Sequence, residues 1–89
     1  MKLDLTTKLY NPKGETYKTG EDDATLGEVL VNTLVGAKTD NPHRSFLLVK
    51  KLSNESAEID IEDIVYIKHL MKDAPYIPYL VGQVIDMLN

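Results

Sequence analysis

Residues 57–70 read AEIDIEDIVYIKHL and mark a sharp change from extended chain to helix. Asp60 is placed to cap a helix that begins at Ile61, because its carboxylate can accept hydrogen bonds from the free backbone amides of the first turn. Ile59 before the cap and Ile64 four residues after it form the two halves of a hydrophobic staple. This join specifies a definite local structure, but it carries no reactive group.

The N-terminal residues predict a β-hairpin. From Leu3 to Tyr10, apolar and polar side chains alternate with the period of two that is typical of a half-buried strand. The sequence Asn11-Pro12-Lys13-Gly14 follows, with proline and glycine at positions that favour a tight turn. We therefore expect a return strand over residues 15–19.

Four helices are predicted after the hairpin. Thr25 and Glu28 match a capping box, and Asn41-Pro42 supplies an N-cap followed by a first-turn proline. The predicted helices cover residues 26–35, residues 42 to about 53, residues 61–73 and residues 78–88, with a short strand at 58–60 before the third. These elements make an α+β fold in one small domain spanning residues 1–89.

Two expectations concern the packing of the last helices. The third helix is expected to bury five apolar residues, which are Ile61, Ile64, Val65, Ile67 and Met71. Gly82 lies inside the fourth helix, where glycine costs about 1 kcal/mol relative to alanine. We predict that a close helix crossing at Gly82 compensates for this cost.

Composition restricts the class of protein. The 89 residues carry a net charge of −4, which opposes ordinary nucleic-acid binding because such binding depends on a Lys/Arg surface. The absence of cysteine removes disulfides, thiolate catalysis and Cys-based metal sites. With no apolar run of about 20 residues and no signal-peptide pattern, we expect a cytoplasmic protein without a membrane segment.

The residue types used in catalysis are present but do not cluster. His43 and His69 have no second histidine three or four residues away, as a metal site on a helix would need. The acidic runs at residues 21–23 and 58–63 lack the spacing of a calcium loop. No serine lies in a nucleophile-elbow motif, and no glycine-rich phosphate loop is present. We predict neither enzyme activity nor a cofactor nor a metal.

The residues with the best claim to function are Tyr76, Ile77 and Tyr79. They lie around two prolines in the sequence Pro75-Tyr76-Ile77-Pro78-Tyr79, and aromatic residues are enriched at protein interfaces. We interpret them as a protein-binding surface. The alternative is a buried turn between two helices, with the tyrosine hydroxyls at its rim.

Four features of the sequence carry a resemblance: TLGEVL at residues 25–30, EDI at 62–64 with IK at 67–68, VGQV at 81–84, and the turn around Lys13-Gly14. In these features the chain resembles a family of small uncharacterised proteins encoded by tailed phages and prophages. The resemblance implies a phage or prophage accessory protein made in the cytoplasm of a bacterial host cell. The family has no assigned activity, so the resemblance implies no functional residue.

From these observations we predict a small protein–protein interaction module that acts by binding, in phage assembly or on a host protein. Self-association remains open, because a chain this short buries a modest fraction of its surface. The alternative is a nucleic-acid-associated regulator of the helix-turn-helix type, which four short helices could build but which the acidic charge opposes. A continuous basic stripe on the surface would favour the regulator.

Overall fold

The computed structural model describes residues 2–19, 21–74 and 76–89. Over these residues the chain forms four α-helices and four short strands, and the predicted α+β fold is confirmed. The helices are α1 (Leu26–Gly36), α2 (Pro42–Leu52), α3 (Ile61–Met71) and α4 (Pro78–Met87), and the strands are β1 (Lys2–Asp4), β2 (Lys18–Thr19), β3 (Asp22–Asp23) and β4 (Ser56–Glu58).

The strands form two small antiparallel pairs. β1 pairs with β4, with Leu3 opposite Ala57, and β2 pairs with β3, with Lys18 opposite Asp23. The strand expected before α3 is therefore present, two residues earlier than predicted. It joins the N-terminal strand and so holds the start of the described chain against the segment that leads into α3.

The predicted turn forms, but β1 and β2 do not pair with each other as the strands of the predicted hairpin, because β1 pairs with β4 and β2 pairs with β3. Gly14 has a φ of 84° and donates its backbone N–H to the carbonyl oxygen of Asn11 at 2.9 Å. Beyond the turn, Tyr10 and Thr16 form only an isolated bridge. Asp4 ends β1 because its carboxylate accepts hydrogen bonds from the backbone and side chain of Thr6, which turns the chain.

The caps predicted from the sequence are present. The carboxylate of Asp60 accepts a hydrogen bond from the backbone N–H of Asp63 at 2.8 Å, and Ile59 and Ile64 are both buried in the core. Thr25 and Asn41 cap α1 and α2 in the same way. The core lies between the helices and the strand pair formed by β1 and β4. Its most deeply buried side chains are Leu9, Leu30, Leu52, Ile59, Ile67, Met71, Val84 and Leu88.

Two packing predictions were wrong. Ile61 and Val65 are 76% and 61% exposed, because the buried side of α3 is formed by Ile64, Ile67, Leu70 and Met71. Gly82 is exposed, and a Cβ atom there would meet no atom of residues 2–19, 21–74 or 76–89 within 4 Å, so no helix of the described chain crosses at this point. The propensity cost of Gly82 therefore has no steric compensation among these residues.

None of the four described helices has the length and mean hydropathy needed to span a bilayer.

Candidate binding surface

The three residues predicted as an interface lie at the start of α4, in different environments. Ile77 occupies the N-cap position and is 55% exposed, and Tyr79 in the first turn is 51% exposed. Tyr76 is half-buried and packs against the core. Pro75, which forms part of the predicted turn, lies outside the described residues. The structure therefore divides the predicted cluster into two exposed side chains and one that also serves packing.

Tyr76 lines a cavity of about 530 Å³, which we call the Tyr76 groove. The groove lies between the C-terminal ends of α1 and α3, and its lining consists of Asn32, Thr33, Gly36, Ala37, Lys38, Leu70, Asp73, Ala74 and Tyr76. Its volume falls within the range of small-molecule and side-chain pockets, roughly 300–1,000 Å³.

The walls of the groove are fixed by the contact between α1 and α3. The hydroxyl of Thr33 donates to the carbonyl oxygen of Val29 at 2.8 Å and lies 3.1 Å from the sulfur of Met71. After α3, the backbone N–H of Ala74 donates to the carbonyl oxygen of Met71 at 3.2 Å and holds residues 71–74 in a turn. The Thr33–Met71 contact therefore joins the two helices that form the walls of the groove.

The chemistry of the groove favours binding of an apolar group. Leu70, Ala74 and Tyr76 supply a largely apolar lining, while Lys38 and Asp73 place opposite charges at its edge. Among the described residues, no group of three or more His, Cys, Asp or Glu side chains is arranged to hold a metal ion. His43 is not in this lining, and His69 belongs to other cavities.

A hydrogen-bonded cluster around Tyr66 was not predicted from the sequence. Its hydroxyl donates to the carbonyl oxygen of Asn41 at 3.1 Å and lies 2.6 Å from the hydroxyl of buried Ser45 and 2.8 Å from that of Thr39. The guanidinium of Arg44 stacks over the ring at 5.0 Å. The cluster ties the α1–α2 connection to α3. The sequence did offer one signal for this cluster. Ser45 lies on the buried face of α2, and a buried hydroxyl requires a hydrogen-bond partner.

A second cluster accounts for one of the acidic runs. The carboxylate of Asp23 accepts hydrogen bonds from Lys18 and, at 2.8 Å, from the hydroxyl of Thr16, and it pairs with Lys8 at 3.0 Å. The hydrogen bonds from Lys18, Thr16 and Lys8 hold the pKa of Asp23 well below its usual range. Asp23 thus connects three segments of the N-terminal region.

Comparison with known proteins gives no match: no family model matches the chain, and neither a curated protein nor a solved structure is detectably similar to it.

Proposed function

We propose that the chain is a small protein–protein interaction module of phage or prophage origin, acting by binding. The docking surface consists of the exposed side chains of Ile77 and Tyr79 together with the Tyr76 groove. The partner is a protein that inserts an apolar side chain into the groove and covers the two exposed residues.

The observation that carries this proposal is the position of Tyr76, half-buried in the wall of a groove and followed directly by two exposed apolar side chains. Large exposed apolar residues next to a preformed concavity are typical of anchor sites in protein interfaces. Lys38 and Asp73 at the edge would orient the partner, since charges at the rim act mainly on specificity and association rate.

The nucleic-acid alternative has less support. A helix-turn-helix joins its helices by a turn of three or four residues, whereas the connections here are longer: residues 37–41 after α1, 53–60 after α2 and 72–77 after α3. Four of the basic residues are also engaged with carboxylates: Arg44 and Lys51 with Asp63, and Lys8 and Lys18 with Asp23. Lysine and arginine side chains held by carboxylates are poorly placed to contact phosphates.

The test is quantitative capture of a protein from a lysate of the bacterial host. The variant Ile77→Ser/Tyr79→Ser changes only exposed side chains and should remain folded. The matched control is Phe46→Ser/Leu47→Ser, which changes two apolar residues of α2 that are 52% and 51% exposed. The partner identified with the unaltered protein should be retained by the control and bound at least about tenfold more weakly by the first variant, because anchor residues dominate binding energy.

A second variant tests the groove separately. Gly36→Leu adds a side chain at a position that lines the groove and where a Cβ would meet no described atom within 4 Å, so we expect it to occupy part of the groove. It should weaken capture to a similar extent while leaving the thermal midpoint nearly unchanged. Equal capture by all variants would contradict the proposed surface. The phage or prophage origin is tested by the genes beside the coding sequence, and neighbours without any phage gene would argue against it.

A further inference from the structure

The exposed side of α3 carries an apolar stripe that the core does not use. Ile61 and Val65 are four residues apart and so lie one turn apart on the same side of the helix. Lys72, the C-cap residue just after α3, continues the line, because the eleven positions from Ile61 to Lys72 correspond to about three helical turns. We call these three residues the α3 stripe.

A shallow cavity begins where the apolar part of the stripe ends. It has a volume of about 330 Å³ and lies between α3 and α4, lined by Val65, Lys68, His69, Lys72 and Ile85. Ile61 lies outside the cavity, about 12 Å from His69 along the helix axis at 1.5 Å per residue. The same face of α3 therefore presents a protruding apolar side chain at one end and a receptive cavity at the other.

The charged side chains of α3 also differ between its two ends. The first turn carries Glu62 and Asp63, and the last turn carries Lys68 and His69. Asp63 is paired with Arg44 at 3.0 Å, and Lys68 donates to the side-chain oxygen of Asn89. Glu62 and His69 are exposed and therefore form the complementary pair. A helix that is acidic at one end and basic at the other is complementary to an antiparallel copy of itself.

We propose that two copies of the chain associate through antiparallel packing of their α3 helices, about a two-fold axis that passes near Val65. This arrangement places Ile61 of each copy opposite His69 of the other, at the cavity that His69 and Ile85 help to line. It also brings Glu62 beside His69 of the second copy. A second copy is the occupant that this surface fits, because one face supplies both halves of each contact, as a two-fold interface requires.

This dimer surface is separate from the Tyr76 groove. Leu70 lines the groove and lies about 140° around α3 from Val65, at 100° per residue. Self-association and partner binding can therefore occur together, and loss of one does not imply loss of the other.

Sedimentation equilibrium tests the dimer. Loading concentrations should extend to about 500 µM, because an interface of one helix from each copy is small and weak. The expected result is a monomer–dimer equilibrium that Val65→Asp weakens at least about tenfold, since it places two carboxylates at the axis. The control Leu47→Asp, on α2, should leave the equilibrium unchanged. A chain that stays monomeric throughout, or a Val65→Asp variant that dimerises normally, would overturn the proposal.

Cysteine crosslinking tests the orientation. The chain contains no cysteine, so each variant introduces a single thiol. Val65→Cys should form a covalent dimer on mild oxidation, because the two thiols meet at the axis. Ile61→Cys should crosslink at least about tenfold less, because antiparallel packing separates the two copies of residue 61 by about 12 Å along the helices. Equal crosslinking by both variants would indicate parallel packing and contradict the two-fold arrangement.

A charge exchange tests the pairing of Glu62 with His69. Glu62→Lys should weaken dimerisation about two- to fivefold, because it places a lysine in the basic end of the second copy. Glu62→Lys/His69→Glu should restore it. If the double variant dimerises more weakly than Glu62→Lys alone, Glu62 does not lie beside His69 of the second copy and the proposed register of the two helices is wrong.

Discussion

The backbone N–H of Gly27 donates to the carbonyl oxygen of Leu5 at 3.0 Å, and this contact leaves little space for a side chain on Gly27. A Cβ atom at position 27 would lie 3.1 Å from both the Cβ and the carbonyl oxygen of Leu5. These neighbours belong to the backbone or are attached directly to it, so they cannot rotate away. The first turn of α1 and the segment after β1 therefore approach each other closely only because residue 27 is glycine.

Alanine should have opposite effects at two helical glycines. Gly27→Ala is expected to lower the free energy of unfolding by about 1–3 kcal/mol, because the steric clash outweighs the gain in helix propensity. Gly82→Ala, in open space, should raise it by about 0.5–1 kcal/mol. Urea denaturation of both variants measures the two changes. Stabilisation by Gly27→Ala would mean that the segment at Leu5 moves freely away from α1.

The Tyr66 cluster makes a second prediction. Tyr66→Phe should lower the free energy of unfolding by about 1–3 kcal/mol, because it leaves the buried hydroxyl of Ser45 without its partner. Tyr66→Phe/Ser45→Ala should cost less than the sum of the two single changes, since both remove the same hydrogen bond. Denaturant midpoints and slopes for the three variants give the coupling.

Tyr17→Phe is the matched control for Tyr66→Phe. The hydroxyl of Tyr17 is buried and has no hydrogen-bond partner within the described part of the chain. Its removal should be neutral or slightly stabilising, because no hydrogen bond is lost. Equal losses from both tyrosines would show that the cost does not arise from the hydrogen bonds of the Tyr66 hydroxyl, because the Tyr17 hydroxyl makes none within the described residues.

The third prediction concerns acid. The pKa of folded Asp23 is depressed by Lys18, Thr16 and Lys8, so the carboxylate stabilises the folded state above the unfolded pKa of about 4. As the pH falls below about 4, the unfolded chain takes up this proton first, and the contribution declines until the folded pKa is passed. Asp23→Asn should therefore reduce stability at pH 7 and approach the unaltered protein as the pH falls below 4.

The control for Asp23 is Asp22→Asn, because Asp22 lies next in the chain and is exposed. Thermal midpoints are measured between about pH 2.5 and 7, a range that spans the ordinary aspartate pKa of about 4. At each pH, the midpoint of Asp22→Asn should differ little from that of the unaltered protein. A constant difference between Asp23→Asn and the unaltered protein at every pH would contradict the role of the charge.

Signals within a few residues of each other predicted the helices and the turn well. The features that the sequence could not predict depend on contacts between distant segments of the chain. Asp60, Asn41-Pro42 and Gly14 act through hydrogen bonds or backbone angles within four residues, so their roles can be read directly. Ile61 and Val65 were misplaced because the apolar residues of α3 extend more than half-way around the helix, and periodicity alone does not select the buried side.

The two glycines show the same limit. Gly27 and Gly82 have the same propensity cost, and only the position of Leu5, 22 residues before Gly27, distinguishes them. The Tyr76 groove could not be predicted for a similar reason, because its walls come from the ends of α1 and α3. Composition was enough to select Tyr76, Ile77 and Tyr79. It could not predict which of the three side chains are exposed and which one packs against the core.

The pairing of β1 with β4 has a consequence for the order of folding. It closes a loop of roughly 50 residues that contains α1 and α2, and closing a long loop costs more entropy than forming the local contacts inside it. During synthesis β1 is made long before β4, so its edge stays unsatisfied while the two helices form. We therefore expect α1 and α2 to pack first and to bring the strands together, which makes β1–β4 a late step in folding.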